Sequence, residues 1–418
     1  MKHARICIVG AGPGGCATAL KLSQLGLPCL LIDKAVFPRD KVCGDAISGK
    51  VTTLLHRLDP ALLRRFQSDA SLQVGVWGIR FVAPNGKRLD VPFKPLFDAE
   101  GETPPGHVSR RLAFDNFLAE EVKRRPDVEF WEGREVLAFE RIEGGFAVRG
   151  KGWEVETPLL VVANGAHSRF ARLQAGLQKD PAHHAGAVRA YFQGVSGFHP
   201  ESFIELHFLK EFTPGYFWIF PLPGGYANVG LGMRSDYISR RKFNLKKALL
   251  EIVREHPAIA PRFRQARLEG KVMGYGLPLG SKRRPLSGDH FMLVGDAGHL
   301  IDPLTGEGIG NAFYSGIIAA EQAQACLQNA DFSASFLHAY DQRVARVLGS
   351  EMKLSYQLQR LLRFPALANF IANLVDRNPH LIRLVPDMYT DLNLRRQLLN
   401  PLFWARILSG KMPPKRNP

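Results

Sequence analysis

The chain has 418 residues and a mass of 46.5 kDa, enough for two or three packed domains, and its 45% hydrophobic and 22% charged residues exclude a disordered chain, a collagen-like repeat and a small disulfide scaffold. Its 55 Lys and Arg against 39 Asp and Glu leave a net charge of +16, which suits an anionic membrane surface or a phosphorylated ligand as partner, the plainer alternative being a basic solvated face with no partner. No block of Lys and Arg with interleaved aromatics occurs, so nucleic acid is not expected as a partner.

From the N-terminus, Arg5 to Gly10 is a short β-branched run suited to a buried parallel strand, and residues 11–26 follow with helical spacing. Residues 27–33 read as a second strand, so the chain opens on a βαβ unit. Gly10, Gly12 and Gly15 lie between the first strand and the helix as G-x-G-x-x-G, with Pro13 and Gly14 inside the motif. The first glycine permits a tight turn, the second lets a pyrophosphate approach, and the third lets helix and strand pack closely. Asp33, at the end of the second strand, is placed to accept hydrogen bonds from ribose hydroxyls.

Residues 71–92 alternate apolar and polar and predict an antiparallel element, after which a helix is expected to begin at Ser109. Residues 128–133 predict a third strand of the nucleotide-binding sheet. Residues 136–166 predict a β-meander with turns at Glu143-Gly144-Gly145 and Gly150-Lys151-Gly152. Between about 180 and 284 the strands become aromatic-rich and are separated by Pro and Gly, as in a second domain built on a mixed sheet. The chain then returns to a buried strand ending on Gly295-Asp296, followed by a proline-containing loop and by Gly306 and Gly308, which open a long helix. A carboxylate there suits a ribityl chain, and a helix N-terminus near Gly308 suits negative charge on a reduced flavin ring, so the pattern points to FAD rather than NAD. A disulfide reductase with two dinucleotides would need a second G-x-G-x-x-G, which the chain lacks. From Phe332 the sequence is helical, punctuated by Pro365, Pro379, Pro386 and Pro401.

Five cysteines, Cys7, Cys16, Cys29, Cys43 and Cys326, are odd in number and mostly in apolar segments, which predicts reduced thiols and a cytoplasmic location. The first residues do not read as a signal peptide, and no uncharged apolar run reaches 18 residues. Membrane contact is therefore expected to be peripheral, on the inner face. From Asp341 onward 13 Lys and Arg face 5 Asp and Glu, and Arg363, Arg377, Arg383, Arg395, Arg396 and Arg406 lie among Leu402, Phe403 and Trp404. His183-His184 has no partners at metal spacing, so no metal site is expected. His299, beside Gly295-Asp296, reads as a packing neighbour.

These motifs resemble the flavoproteins of the para-hydroxybenzoate hydroxylase fold, and within them the geranylgeranyl reductase family. The glycine fingerprint, Gly295-Asp296 and Arg111, three residues before Phe114-Asp115, are shared across that superfamily. More specific are Cys43-Gly44, similar to a stretch beside the flavin in the reductases, and Tyr216-Phe217-Trp218-Ile219-Phe220-Pro221. The latter is followed after eight residues by Gly230-Leu231-Gly232, as in the motif that lines their prenyl pocket. The resemblance implies an α/β fold. Its Rossmann-like FAD-binding domain is discontinuous (1–70, 105–175 and 285–330), with an inserted mixed-sheet substrate domain (71–104 and 176–284) and a helical C-terminal region (331–418).

The resemblance further implies FAD contacts from Gly10, Gly12, Pro13, Gly14, Gly15, Asp33, Lys34, Arg111, Val136, Gly295, Asp296, Gly306, Gly308 and Ile309. Substrate contacts fall to Tyr216, Trp218, Phe220, Pro221, Gly230 and Gly232. Cys43 and Gly44 take the catalytic position, the thiol serving as proton donor or relay. The implied reaction saturates double bonds of a polyprenyl lipid, quinone or pigment chain, with hydride from reduced flavin and electrons from NAD(P)H or a reduced carrier protein. Asn164-Gly165 stands where many hydroxylases of this fold carry Asp-Gly, which argues against direct NADPH use. The competing readings are an FAD monooxygenase or halogenase-like enzyme on an aromatic or polyketide substrate, and a flavoprotein passing electrons to a membrane quinone. The halogenases carry W-x-W-x-I-P and Gly-Glu at the comparable places, and an electron relay should need an iron–sulfur C-x₂-C run that is not present. The plainer alternatives are that the alternating aromatics are ordinary strand core and that Cys43 is a small buried hydrophobe.

Overall fold

The computed structural model of the protein describes residues 2–94, 101–377 and positions 397, 400 and 402. β1 (Cys7–Val9), α1 (Pro13–Gln24) and β2 (Cys29–Ile32) form the opening βαβ unit, and α2 (Arg111–Lys123) leads into β3 (Val128–Trp131). With β4 (Leu160–Val162) and Phe291–Leu293 these strands make a parallel sheet in the order 291–293, β4, β1, β2, β3, edged by the antiparallel pair Ser287–Gly288. β1, β2 and β4 are buried along their whole length. That is why they read as unbroken apolar runs: helices cover one face and other elements the second. The expected meander is Val136–Ile142, Gly145–Gly150 and Trp153–Thr157, which pair antiparallel in sequence.

A second, seven-stranded sheet contains β5 (His184–Gln193), β6 (Ile204–His207), β7 (Tyr216–Leu222), β8 (Tyr226–Arg234) and β9 (Arg267–Pro278). Its order is β9, β5, β8, β7, β6, then Gly78–Val82 and Arg88–Pro92. β7 shows the period of two directly. Phe217 and Ile219 enter the core behind the sheet, packed with the helix Leu245–Glu255, while Trp218, Phe220 and Leu222 lie on the front with Val76, Val108 and Tyr191.

The segment 71–92 is not one antiparallel element. Val74–Val76 joins a small sheet with Gly106–Val108 and Ala46–Ile47, whereas Gly78–Val82 and Arg88–Pro92 extend the large one. The helix expected at Ser109 begins at Arg111. Ser109 is drawn into the small sheet instead: its hydroxyl donates to the Leu72 carbonyl at 2.5 Å and its N–H to the Asp45 carbonyl at 2.9 Å.

After the parallel sheet come the long helices α3 (Ile309–Asn329) and α4 (Ala334–Leu361), then Pro365–Arg377. No helix of the described residues is long and apolar enough to cross a membrane. Pro379, Pro386, Pro401, Arg383, Arg395, Arg396, Phe403, Trp404 and Arg406 lie outside the described residues, as does the side chain of Arg377.

Candidate active site

Both sheets and the Cys43 loop surround one cavity of about 1570 Å³. Its nucleotide end is built by the glycine turn. Gly10 has φ +105, and a Cβ there would stand 2.5 Å from the Ala163 carbonyl oxygen, while one on Gly15 would lie 1.8 Å from that of Gly10. Neither position tolerates a side chain, and the closeness they permit aims the N-terminus of α1 at the cavity. Gly12 differs: a Cβ there would enter open space, with Arg39 Nη2 at 3.8 Å as its nearest neighbour. This is the cradle a pyrophosphate needs, and the N-terminus of α1 has no side-chain cap to compete for its N–H groups. α3 likewise starts at Gly308 without a side-chain cap, and Gly308 and Ile309 line the same cavity. The residues therefore fit a flavin dinucleotide.

Asp33 braces the turn. Its Oδ2 accepts from the Ala11 N–H at 2.6 Å and its Oδ1 from the Ala35 N–H at 2.8 Å. Arg111 is buried and donates through Nε and Nη2 to both oxygens of Asp115, each at 2.6 Å, and Arg39 Nη1 reaches Asp115 at 2.6 Å. Burial alone would raise the Asp115 carboxyl, but Arg111 and then Arg39 hold it below the usual carboxylate range. Burial opposes the Arg111 charge, yet Asp115, and after it Cys43, raise its affinity for the proton. Arg111 thus stands between the nucleotide end and the Cys43 loop. Asp296 is held by Lys41 Nζ at 3.1 Å, and that ammonium lies 5.0 Å from the Tyr275 ring centre.

At the other end, Cys43 and Gly44 face Tyr216, Trp218 and Phe220, with neighbouring ring centres 6.0 and 6.2 Å apart. A Cβ on Gly44 would sit 3.5 Å from Phe220, so the loop lies on the aromatic face. Cys43 is half-buried and the other four cysteines are buried, none in a disulfide. Trp218 pairs across the strands with Gly230, where a Cβ would fall 2.0 Å from the indole.

Nearly all the sequence-predicted site residues line this cavity: Gly10, Gly12, Pro13, Gly14, Asp33, Lys34, Arg111, Val136, Gly295, Asp296, Gly306, Gly308, Ile309, Cys43, Gly44, Tyr216, Trp218, Phe220 and Gly232. Gly15, Pro221 and Gly230 do not line it; Gly15 lets α1 pack against the Gly10 turn, Gly230 makes room for the Trp218 indole, and Pro221 pairs with Ala227 in the sheet.

Sequence reasoning passed over Asp45, Asn228 and Tyr191. The Asp45 carboxylate is fully buried beneath the loop and accepts at Oδ2 from the Tyr191 hydroxyl and from Asn228 Nδ2, both at 2.8 Å. Burial pushes its carboxyl up to about 6, against the hydrogen bonds from Asn228 and Tyr191. The available signals were an acid directly after Cys43-Gly44 and one amide in the apolar run Ala227–Met233.

A profile of the FAD binding domain family matches residues 3–348. The chain is 30% identical over 390 residues to a digeranylgeranylglycerophospholipid reductase of Methanopyrus kandleri, covering 91% of this chain and 92% of that one. It is 29% identical to a menaquinone reductase of Mycobacterium tuberculosis, covering 93% and 92%. Among solved structures, a geranylgeranyl bacteriochlorophyll reductase-like protein of Thermoplasma acidophilum superposes with a TM-score of 0.78 at 24% identity, over 90% of this chain and 92% of that chain.

Proposed function

This chain belongs to the FAD binding domain family and, with the relatives above, to the geranylgeranyl reductases, and on that premise we propose that it is an FAD-dependent reductase that saturates carbon–carbon double bonds of a polyprenyl chain. The observation that carries the reading is the continuity of the cavity from Gly12 to Trp218. At about 1570 Å³ it exceeds the roughly 300–1,000 Å³ of a single-ligand pocket and has room for a dinucleotide and an apolar chain side by side. Bound FAD, once reduced, supplies the hydride.

The protein's part is position and proton. An unactivated alkene accepts hydride poorly, so the double bond must be held within about 3–3.5 Å of the reacting atom, and a proton must arrive in step. Tyr216, Trp218 and Phe220 offer flat apolar faces for the chain, and the Cys43 thiol, in the loop laid on those faces, holds the proton. Residues 1–70, 105–175 and 285–330 then serve the cofactor, and 71–104 with 176–284 the substrate.

The head group is anionic in this reading. A second cavity of about 310 Å³ shares Pro214, Arg234 and Gln359 with the first and is also lined by Arg360 and Arg363. Arg234 is bound to Asp236 at 2.6 Å, but Arg360 and Arg363 have no ion-pair partner among the described residues. A phospholipid suits such a place better than a quinone ring. The basic C-terminal segment would carry the enzyme to an anionic bilayer, each basic side chain contributing about 1 kcal/mol near the surface. Co-sedimentation with anionic vesicles should be strong at low salt and fade as salt rises; binding that ignores the lipid charge would count against it.

The function is tested under anaerobic conditions with chemically reduced flavin. A digeranylgeranyl phospholipid should gain two hydrogens per bond without oxygen, and faster than a menaquinone does. Oxygen-dependent insertion of one oxygen atom into an aromatic substrate, with prenyl lipids inert, would replace this reading by the monooxygenase one.

A further inference from the structure

Asp45 adopts φ +68, a left-handed conformation in which a non-glycine residue is uncommon. The conformation brings its carboxylate to donors on two neighbouring strands, Tyr191 on β5 and Asn228 on β8. Asn228 is fully buried, and its amide oxygen and both amide N–H groups are engaged here. The Trp218 indole N–H can only donate, so the oxygen of the Asn228 amide must face it, and it does so at 2.8 Å. The two amide protons then go to the Cys43 carbonyl and to Asp45 Oδ2, each at 2.8 Å. One carboxylate thereby orients one amide, and that amide fixes both the backbone of the proposed proton donor and the central ring of the apolar face.

We propose that Asp45 is a positioning residue for the reduction, setting through Asn228 the gap between the Cys43 loop and Trp218 in which the double bond must lie. The inference rests on the reductase reading for its kinetic part. The fold isolates the network from water but surrounds it with charge. Arg189, paired with Asp40, and Arg110, paired with Glu269, approach the Tyr191 ring at 4.0 and 4.4 Å, and Arg111 approaches from α2, its N–H 3.4 Å from Asp45 Oδ1. Protonating Asp45 turns two charge-assisted hydrogen bonds into ordinary ones and loosens the clamp. Because burial lifts this carboxyl to about 6, kcat should fall below that pH, an acid limb well above the ordinary range of aspartate.

The test compares Asp45→Asn, Asp45→Ala and Asn228→Ala with the native holoenzyme by three readouts: flavin absorbance, kcat and KM against pH, and the rate at which iodoacetamide alkylates Cys43, the one cysteine that is not buried. Asp45→Asn keeps an acceptor oxygen and a residue type that tolerates the left-handed backbone. Being neutral like the protonated acid, it should show at every pH the lowered kcat that the native enzyme reaches below about pH 6, with no acid limb of its own. Asp45→Ala and Asn228→Ala should retain flavin and KM, lose about 10- to 100-fold in kcat as expected for a misplaced reacting group, and change the alkylation rate several-fold. Native kcat and alkylation in Asp45→Ala, or an acid limb that persists in Asp45→Asn, overturns the proposal. If the native enzyme reduces no prenyl lipid, the reductase reading fails by itself and the alkylation rates of the alanine variants decide the role of Asp45.

Discussion

A side chain at position 12 would point into the space that the pyrophosphate requires and would touch little else. Gly12→Val should therefore fold, by circular dichroism, but purify without flavin absorbance. Cys43→Ala should keep its flavin and lose about 10²–10⁴ in the rate of reduction, the usual worth of positioned proton transfer; a variant as fast as the native enzyme would move the proton source elsewhere. Gly10, Gly12 and Asp33 were legible because a glycine turn between strand and helix, with an acid at the end of the next strand, is a pattern of spacing that needs no knowledge of the fold, and Asp33 does reach that turn at the Ala11 N–H. Cys43-Gly44 was legible only through the family resemblance. Asp45 could not be read so easily. Its partners come from residues 191 and 228, and nothing local distinguishes a buried hub from a loop carboxylate until the strands that carry those partners are side by side.

At the scale of elements, alternation along β7 sorts its residues between a rear core and a front face, and that much is visible in Tyr216 to Leu222 alone. The destination of the front face is not. It depends on the loop 43–48 crossing from the parallel sheet, a contact between residues more than 170 apart in sequence. The split of 71–92 between two sheets was hidden for a related reason: alternation marks a strand but does not say which sheet takes it. Trp218→Ala should open the cavity and weaken prenyl binding with flavin retained, and should also lower stability by about 3–5 kcal/mol, as for other large-to-small changes in a packed cluster. Urea unfolding and lipid titration measure the two effects separately.

For the molecule as a whole, the shared cavity couples cofactor occupancy to stability, because FAD would touch the glycine turn, the Arg111 region and the start of α3 at once. Adding FAD to flavin-free protein should raise its Tm, with about 2.7 kcal/mol gained at a hundred times Kd, and Gly12→Val should show no such rise. The Trp218–Gly230 pair carries a consequence for other sequences of this kind. The indole fills volume that a Cβ at 230 would claim, so positions 218 and 230 share one fixed allowance of space between them. Relatives with any side chain at the second position should have surrendered the bicyclic ring at the first, and the two columns of an alignment should covary. Restoring glycine alone in such a relative would then leave a hole, and only the double exchange would recover a flat wall.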